Sequence, residues 1–178
     1  MPEPPVFPYH PDPVATGAVV PSDGVCACCG QARGHLYRGP VYAEADLGGR
    51  VCPWCIADGG VADRFDAHFT AGECLGEDVP QAVFERVDRR TPGFTGWQEP
   101  RWFFHCGDAA AYLGPAGSAE LAGHPDALQV LRTEIGTWGW PDHQAEEYLR
   151  SLDPSGEPTA HLFRCLHCRT HLAYSDTP

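Results

Sequence analysis

Helical spacing of apolar residues first appears after Cys55, where Val61, Ala62, Phe65 and Phe69 fall on a single face and Asp58 stands ready as an N-cap. A second short helix is predicted after Asp78, with Val83, Phe84 and Val87 turned inward and Pro80 tolerated in its first turn. Further on, Asp108 heads a short helical turn over AAAYL that Gly114 ends. Ala127, Leu128, Leu131 and Ile135 share a face of a clearer helix from Pro125 to Ile135, closed by Gly136. Asp142 caps a last helix whose apolar positions are Ala145, Tyr148, Leu149 and Leu152.

Elsewhere the pattern is that of short strands and turns. Prolines and glycines punctuate the first 25 residues, so they are read as an extended arm with one short strand around Ala18 to Val20, pinned to the core by Phe7 and Tyr9. Gly34 to Tyr37 and Gly49 to Val51 read as short strands flanking turns. The stretch Thr91 to Trp102 reads as a turn-rich seam with aromatic anchors. The tail HLFRCLHCRTHLAY alternates as a β-hairpin does, with Cys165-Leu166-His167-Cys168 at its turn. The sum is an α+β fold. Residues 1–90 carry the arm, a zinc-ribbon-like lobe and helices; residues 91–178 carry the aromatic seam, helices and the hairpin, the two packing as one unit.

Composition narrows the functional classes. The 178 residues are 43% hydrophobic, enough for a core, and no apolar run approaches the about 20 residues needed to cross a bilayer. The N-terminus has no signal-like basic and apolar segments, so a cytoplasmic location is expected. Lys and Arg total 12 against 24 Asp and Glu, a net charge of −12, which argues against nucleic acid as the main partner and leaves a protein partner as the expectation.

The chemistry lies in the cysteines. Cys26-x-x-Cys29 and Cys52-x-x-Cys55 present two thiolate pairs at spacings suited to tetrahedral zinc, and in a reducing compartment such pairs bind metal rather than form structural disulfides. Gly30 supports the turn after Cys29; Cys28 offers a competing register with Cys26. Four thiolates fill the tetrahedron, so this site stabilises the fold rather than catalyses. Cys52-Pro53-Trp54-Cys55 has a superficial likeness to a redox dithiol, but the order Trp-Cys-Gly-Pro-Cys is absent.

Cys165-x-x-Cys168 reads either as a reduced hairpin with free thiols or as a second zinc site, with further ligands drawn from Cys106, His105, His171 and His161. Four ligands make it structural; three leave an open position able to activate water. Asp58, Asp63, Asp108 and Asp176 are candidate bases or partners of a histidine, against simpler roles as caps and solvated residues. Tyr9, His10 and Asp12 form a polar cluster read as arm docking, and Cys74 is expected to be buried. Phe94, Trp97, Trp102, Phe103 and Phe104 are either core or a partner-binding patch.

The run Tyr9-His10-Pro11-Asp12-Pro13 with Thr16-Gly17, then Cys26-x-x-Cys29-Gly30, Gly39-Pro40-Val41-Tyr42, CPWCIADG from Cys52 to Gly59, Thr91-Pro92-Gly93-Phe94 and the final Cys165-x-x-Cys168 resembles the bacterial CbrC family over nearly the whole chain. The resemblance implies a bacterial cytoplasmic zinc protein linked by name to colicin tolerance. The expected function is that of a zinc-stabilised binding or adaptor protein in a stress or toxin-tolerance response. A metal-dependent, hydrolase-like enzyme using His105, Cys106, Cys165 and Cys168 is the first alternative, and a thiol-disulfide oxidoreductase the second.

Overall fold

The computed structural model describes residues 3–70, 74–76 and 78–177. The arm leads into β1 (Val19–Pro21), which pairs antiparallel with β2 (His35–Tyr37), Val19 facing Tyr37. Two short helices follow, α1 (Pro53–Ala57) and α2 (Gly60–Phe65). Then come β3 (Cys74–Gly76) and α3 (Gln81–Arg90). β3 runs parallel to β4 (Trp102–His105), which turns back antiparallel into β5 (Asp108–Ala109). A second three-stranded sheet joins β6 (Ala111–Ala116), β7 (Thr159–Arg164) and β8 (His171–Asp176), all antiparallel. Between β6 and β7 the chain makes α4 (Ser118–Leu121), α5 (Pro125–Gly136) and α6 (Asp142–Ser151). The α+β class and the C-terminal hairpin are as anticipated.

Three apolar clusters hold these elements. The first joins Phe7, Val19, Tyr37, Val51, Ile56, Val61 and Phe69, and the cysteines 26, 52 and 55 are themselves part of it. Aromatic residues dominate the second, where Trp102, Phe104, Tyr112, Phe163 and Tyr174 meet Tyr9 from the arm and Val87 from α3. The buried Trp102 still satisfies its indole N–H, which donates to the carbonyl of Ala110 at 2.9 Å. Phe94 stacks on Tyr112 with centroids 3.8 Å apart. The third cluster buries one face of α5, through Ala127, Leu131 and Ile135, against Ala160, Leu162 and Ala173 of the sheet. Of the five aromatic residues in doubt between core and patch, Phe94, Trp102, Phe103 and Phe104 are buried and Trp97 is exposed.

Several local expectations differ from the structure. Gly49–Val51 forms no strand; the Val51 carbonyl accepts a single hydrogen bond from Tyr37 N–H at 2.9 Å. The helix expected after Cys55 begins earlier and is split, because Cys52 is the N-cap and Gly59 breaks the run in the left-handed region at φ 84°. Asp58 therefore closes α1 and does not open a helix; its carboxylate accepts from Gly60 N–H at 2.8 Å. Phe69, assigned to the helical face, is buried beyond the helix end. The AAAYL segment is extended, with Ala109 ending β5 and Ala111 opening β6, since pairing with β4 and β7 and burial of Tyr112 outweigh the helical propensity of alanine. The burial expected of Cys74 lies outside the described side chains.

The arm docks through polar groups as well as Phe7. The ring of His10 is fully buried, with Nδ1 2.7 Å from the Pro92 carbonyl and Nε2 2.7 Å from the Thr16 hydroxyl. A carbonyl only accepts, so Nδ1 carries the proton and Nε2 accepts from Thr16. Burial pushes the His10 pKa down to about 4 from 6.5, outweighing Pro92 and Asp12. The unfolded chain then binds the extra proton between those values, so stability should fall as pH drops from about 6.5 to 4, by up to roughly 3 kcal/mol. Thermal melts across this range check it: His10→Gln should show a shallower acid loss than the native chain, and equal slopes would refute the assignment.

Gly93 marks where the seam crosses the first lobe. A Cβ there would collide with the Phe69 carbonyl oxygen and meet the Tyr37 hydroxyl at 3.1 Å. Because the nearest obstacle is backbone, Gly93→Ala is expected to destabilise by about 1–3 kcal/mol, read from a denaturant midpoint.

Candidate metal centres

Two different local structures build the first cluster. After β1 the chain turns tightly at Cys26–Cys29: Gly30 N–H donates to the Cys26 carbonyl at 2.8 Å, and Gly30 sits at φ 70°, a conformation that favours glycine. The second pair lies on a helix start, with Cys52 at the N-cap, Pro53 at the first helical position and Cys55 one turn on. Sulfurs of Cys26, Cys29, Cys52 and Cys55 all lie within 4.8 Å of one another, with Cys29 and Cys52 3.9 Å apart. Cys29, and not Cys28, is the member of this group. The second pair opens a helix where a second turn was expected, because Pro53 fixes a helical φ.

The electrostatics of this cluster favour a bound cation. Burial opposes ionisation of Cys26, yet the backbone N–H groups of Cys29, Cys52 and Cys28 aimed at its sulfur draw its pKa below the ordinary value. Burial, with the neighbouring Cys26 sulfur, pushes Cys52 up to about 11, and Cys55 is driven up by burial and by Cys52 and Cys29. Such crowded sulfurs cannot all be thiolates unless a cation offsets their charge. A soft divalent ion is the natural partner of that donor set.

The second cluster joins two hairpin ends. Cys106, at φ 56°, lies in the turn between β4 and β5 beside His105; Cys165 and Cys168 lie in the turn between β7 and β8. His105 Nδ1 is 3.2 Å from the Cys106 sulfur and 3.4 Å from that of Cys168, and all four ligand atoms fall within 4.8 Å of one another. Arg169 takes φ 67°, the same place after the second cysteine that Gly30 holds in the first turn. Thr170, through its hydroxyl and backbone N–H, lowers the exposed Cys168 thiol to about 6, while hydrogen bonding to Cys168 raises Cys106 to about 11. The Cys168 sulfur is favoured as a thiolate and that of Cys106 as a thiol, again a set suited to a shared cation.

The remaining candidates separate cleanly. Asp108 accepts from the Tyr9 hydroxyl at 2.7 Å and pairs with His167 Nε2 at 3.0 Å, tying the arm to the second cysteine turn. His161 lies outside the second cluster; it is buried, with Nδ1 3.2 Å from the Tyr112 hydroxyl and Nε2 3.2 Å from Asp176. His171 is not a ligand of this cluster either, and gathers instead with His124 and Asp126. Those last two escaped the sequence reading, because a histidine and an aspartate at a helix start read as ordinary N-terminal residues. Asp63 sits in the first turn of α2, and Asp12 accepts from Ala15 N–H at 2.9 Å.

Fold and clusters together define a small mixed α/β protein with two sulfur-rich groups close enough to hold metal ions. The chain belongs to the family described as "Uncharacterised protein family (UPF0167)", which matches residues 4–177. It is 54% identical over 173 residues to a UPF0167 protein of Mycobacterium bovis and equally to one of Mycobacterium tuberculosis, covering 97% of this chain and 92% of each relative. A UPF0167 protein of Pseudomonas aeruginosa is 40% identical over 166 residues, covering 92% of both chains. No solved structure matches it. No helix among the described residues is long and apolar enough to cross a membrane.

Proposed function

We propose that this chain is a CbrC-like binding protein of a bacterial stress or toxin-tolerance response, in which two zinc ions brace the scaffold and a protein partner supplies the ligand. The observation that carries this reading is the completeness of both donor sets: four sulfurs in one, three sulfurs and a nitrogen in the other. A filled tetrahedron leaves no position for substrate or water, the mark of a structural ion. Residues 1–90 and 91–178 act as one unit in this reading, supported by the aromatic cluster that takes Tyr9 and Val87 from the first half.

The partner would seat in the cleft between the arm, α2 and α3, a space of about 530 Å³ lined in part by Arg86, Arg89 and Arg90. Arg86, Arg89 and Arg90 outnumber Asp63 and Glu85 in this lining, a local positive excess in a chain of net charge −12 that favours an acidic segment. The enzyme alternative needs a three-ligand second site, and the redox alternative needs Cys52 and Cys55 free to pair.

Zinc-edge X-ray absorption with elemental analysis tests the reading. The expected result is two zinc ions per chain with only sulfur and imidazole neighbours; a water ligand at a sulfur site would transfer the case to the enzyme. A glutamate-rich peptide should bind in a salt-sensitive way and lose at least tenfold in affinity in an Arg86→Glu, Arg90→Glu double variant. Binding equal in both proteins would remove the cleft from the proposal.

A further inference from the structure

We propose that His124, Asp126 and His171 form a third metal site, open in its coordination, that takes an exchangeable divalent first-row transition ion. Their ligand atoms lie within 4.8 Å of one another, on a platform formed by the start of α5 and the first residue of β8. The carboxylate is already oriented: Asp126 Oδ1 accepts from Ala127 N–H at 3.0 Å and Oδ2 from His171 N–H at 2.6 Å. Backbone donors of this kind fix a ligating carboxylate in place.

The two imidazoles face each other with centroids 4.1 Å apart and planes inclined by 38°. Among the described residues no side-chain hydrogen bond occupies His124, so its ring is available to an ion. Asp126 and His171 keep 36% and 22% of their side-chain surface exposed, enough for an ion to enter without opening the fold.

Two imidazoles and one carboxylate suit zinc, cobalt, nickel or iron(II) better than magnesium or calcium, which prefer all-oxygen shells. Three protein ligands leave at least one position for water or another small ligand, unlike the filled sulfur sites. Lacking thiolates, this site should exchange its ion far more readily than they do. The inference stands on different residues from those that support the proposed function, so either can fail alone.

The test uses the full, tag-free chain with its cysteine clusters loaded with zinc, titrated with Co²⁺ and followed by visible absorption. One further equivalent is expected, with d–d bands but no thiolate-to-cobalt charge transfer, and with shifts of the His124 and His171 imidazole resonances. His124→Ala should weaken this uptake by roughly tenfold or more while retaining the cysteine-bound zinc and the native melting transition. His171→Ala should do the same, guarding against a compensating ligand in the first variant. No further equivalent in the native chain, uptake in both variants equal to that of the native chain, or cobalt bands of thiolate origin alone would each overturn the proposal.

Discussion

Cys52→Ser is expected to release the ion of the first cluster and to unfold the chain from β1 through α2. Structural zinc contributes about 10–16 kcal/mol of apparent binding free energy at neutral pH, comparable with the roughly 5–15 kcal/mol that holds a whole domain together. This lobe has little regular secondary structure to rely on. Its strands are three residues long, its helices five and six, and the buried cysteines 26, 52 and 55 are members of its apolar cluster. Serine isolates the cause well, because it is a better N-cap than cysteine and should strengthen α1 locally by about 1 kcal/mol. A loss of structure therefore reports the ion rather than the helix. Circular dichroism and elemental analysis of the variant, beside chelator-treated native protein, give the measurement. Retained zinc with a native-like melt would mean that the lobe stands without this ligand.

What the chain discloses in advance follows from which interactions are local. Spacing of cysteines is a local property, so Cys26, Cys29, Cys52 and Cys55 could be grouped without coordinates. The periodicity of Ala127, Leu131 and Ile135 likewise announced α5. Strands β5 and β6 were hidden because Ala109, Ala110 and Ala111 favour a helix locally, and only pairing of Ala109 with β4 and of Ala111 with the distant β7 makes the segment extended. The choice of His105 and Cys106 over His161 and His171 depended on which hairpins meet at their turns, a property of topology. His161 could not be dismissed from sequence, since its burial beside Asp176 is set by the β7–β8 register, which opposes His161 to Tyr174. His124 and Asp126 were illegible for the opposite reason: they look ordinary until β8 brings His171 to them.

At the second cluster the outcome of losing a ligand should be of a different kind. Cys168→Ser is expected to release that ion and lower the melting temperature while leaving a single cooperative transition. An ion held there would join the β4–β5 turn to the β7–β8 turn, and the chain from His105 to Cys165 spans 60 positions. Treated as a clip closing a loop of that length, it contributes about 4 kcal/mol through the entropy of the unfolded chain. For a chain of this size that corresponds to roughly 10 °C in melting temperature. The fold should survive because Trp102 and Phe103 pack against Phe163 whether or not the ion is present, at centroid separations of 5.7 and 5.5 Å. Cys168 is itself exposed, so serine there leaves no cavity. Calorimetry with a zinc count distinguishes the possibilities: complete unfolding would show that the aromatic core depends on the ion, and an unchanged melt after loss of zinc would show that the clip bears no stability. The contrast with Cys52→Ser is the informative quantity, since chemically similar ligand sets should differ in consequence only through the apolar core that surrounds each.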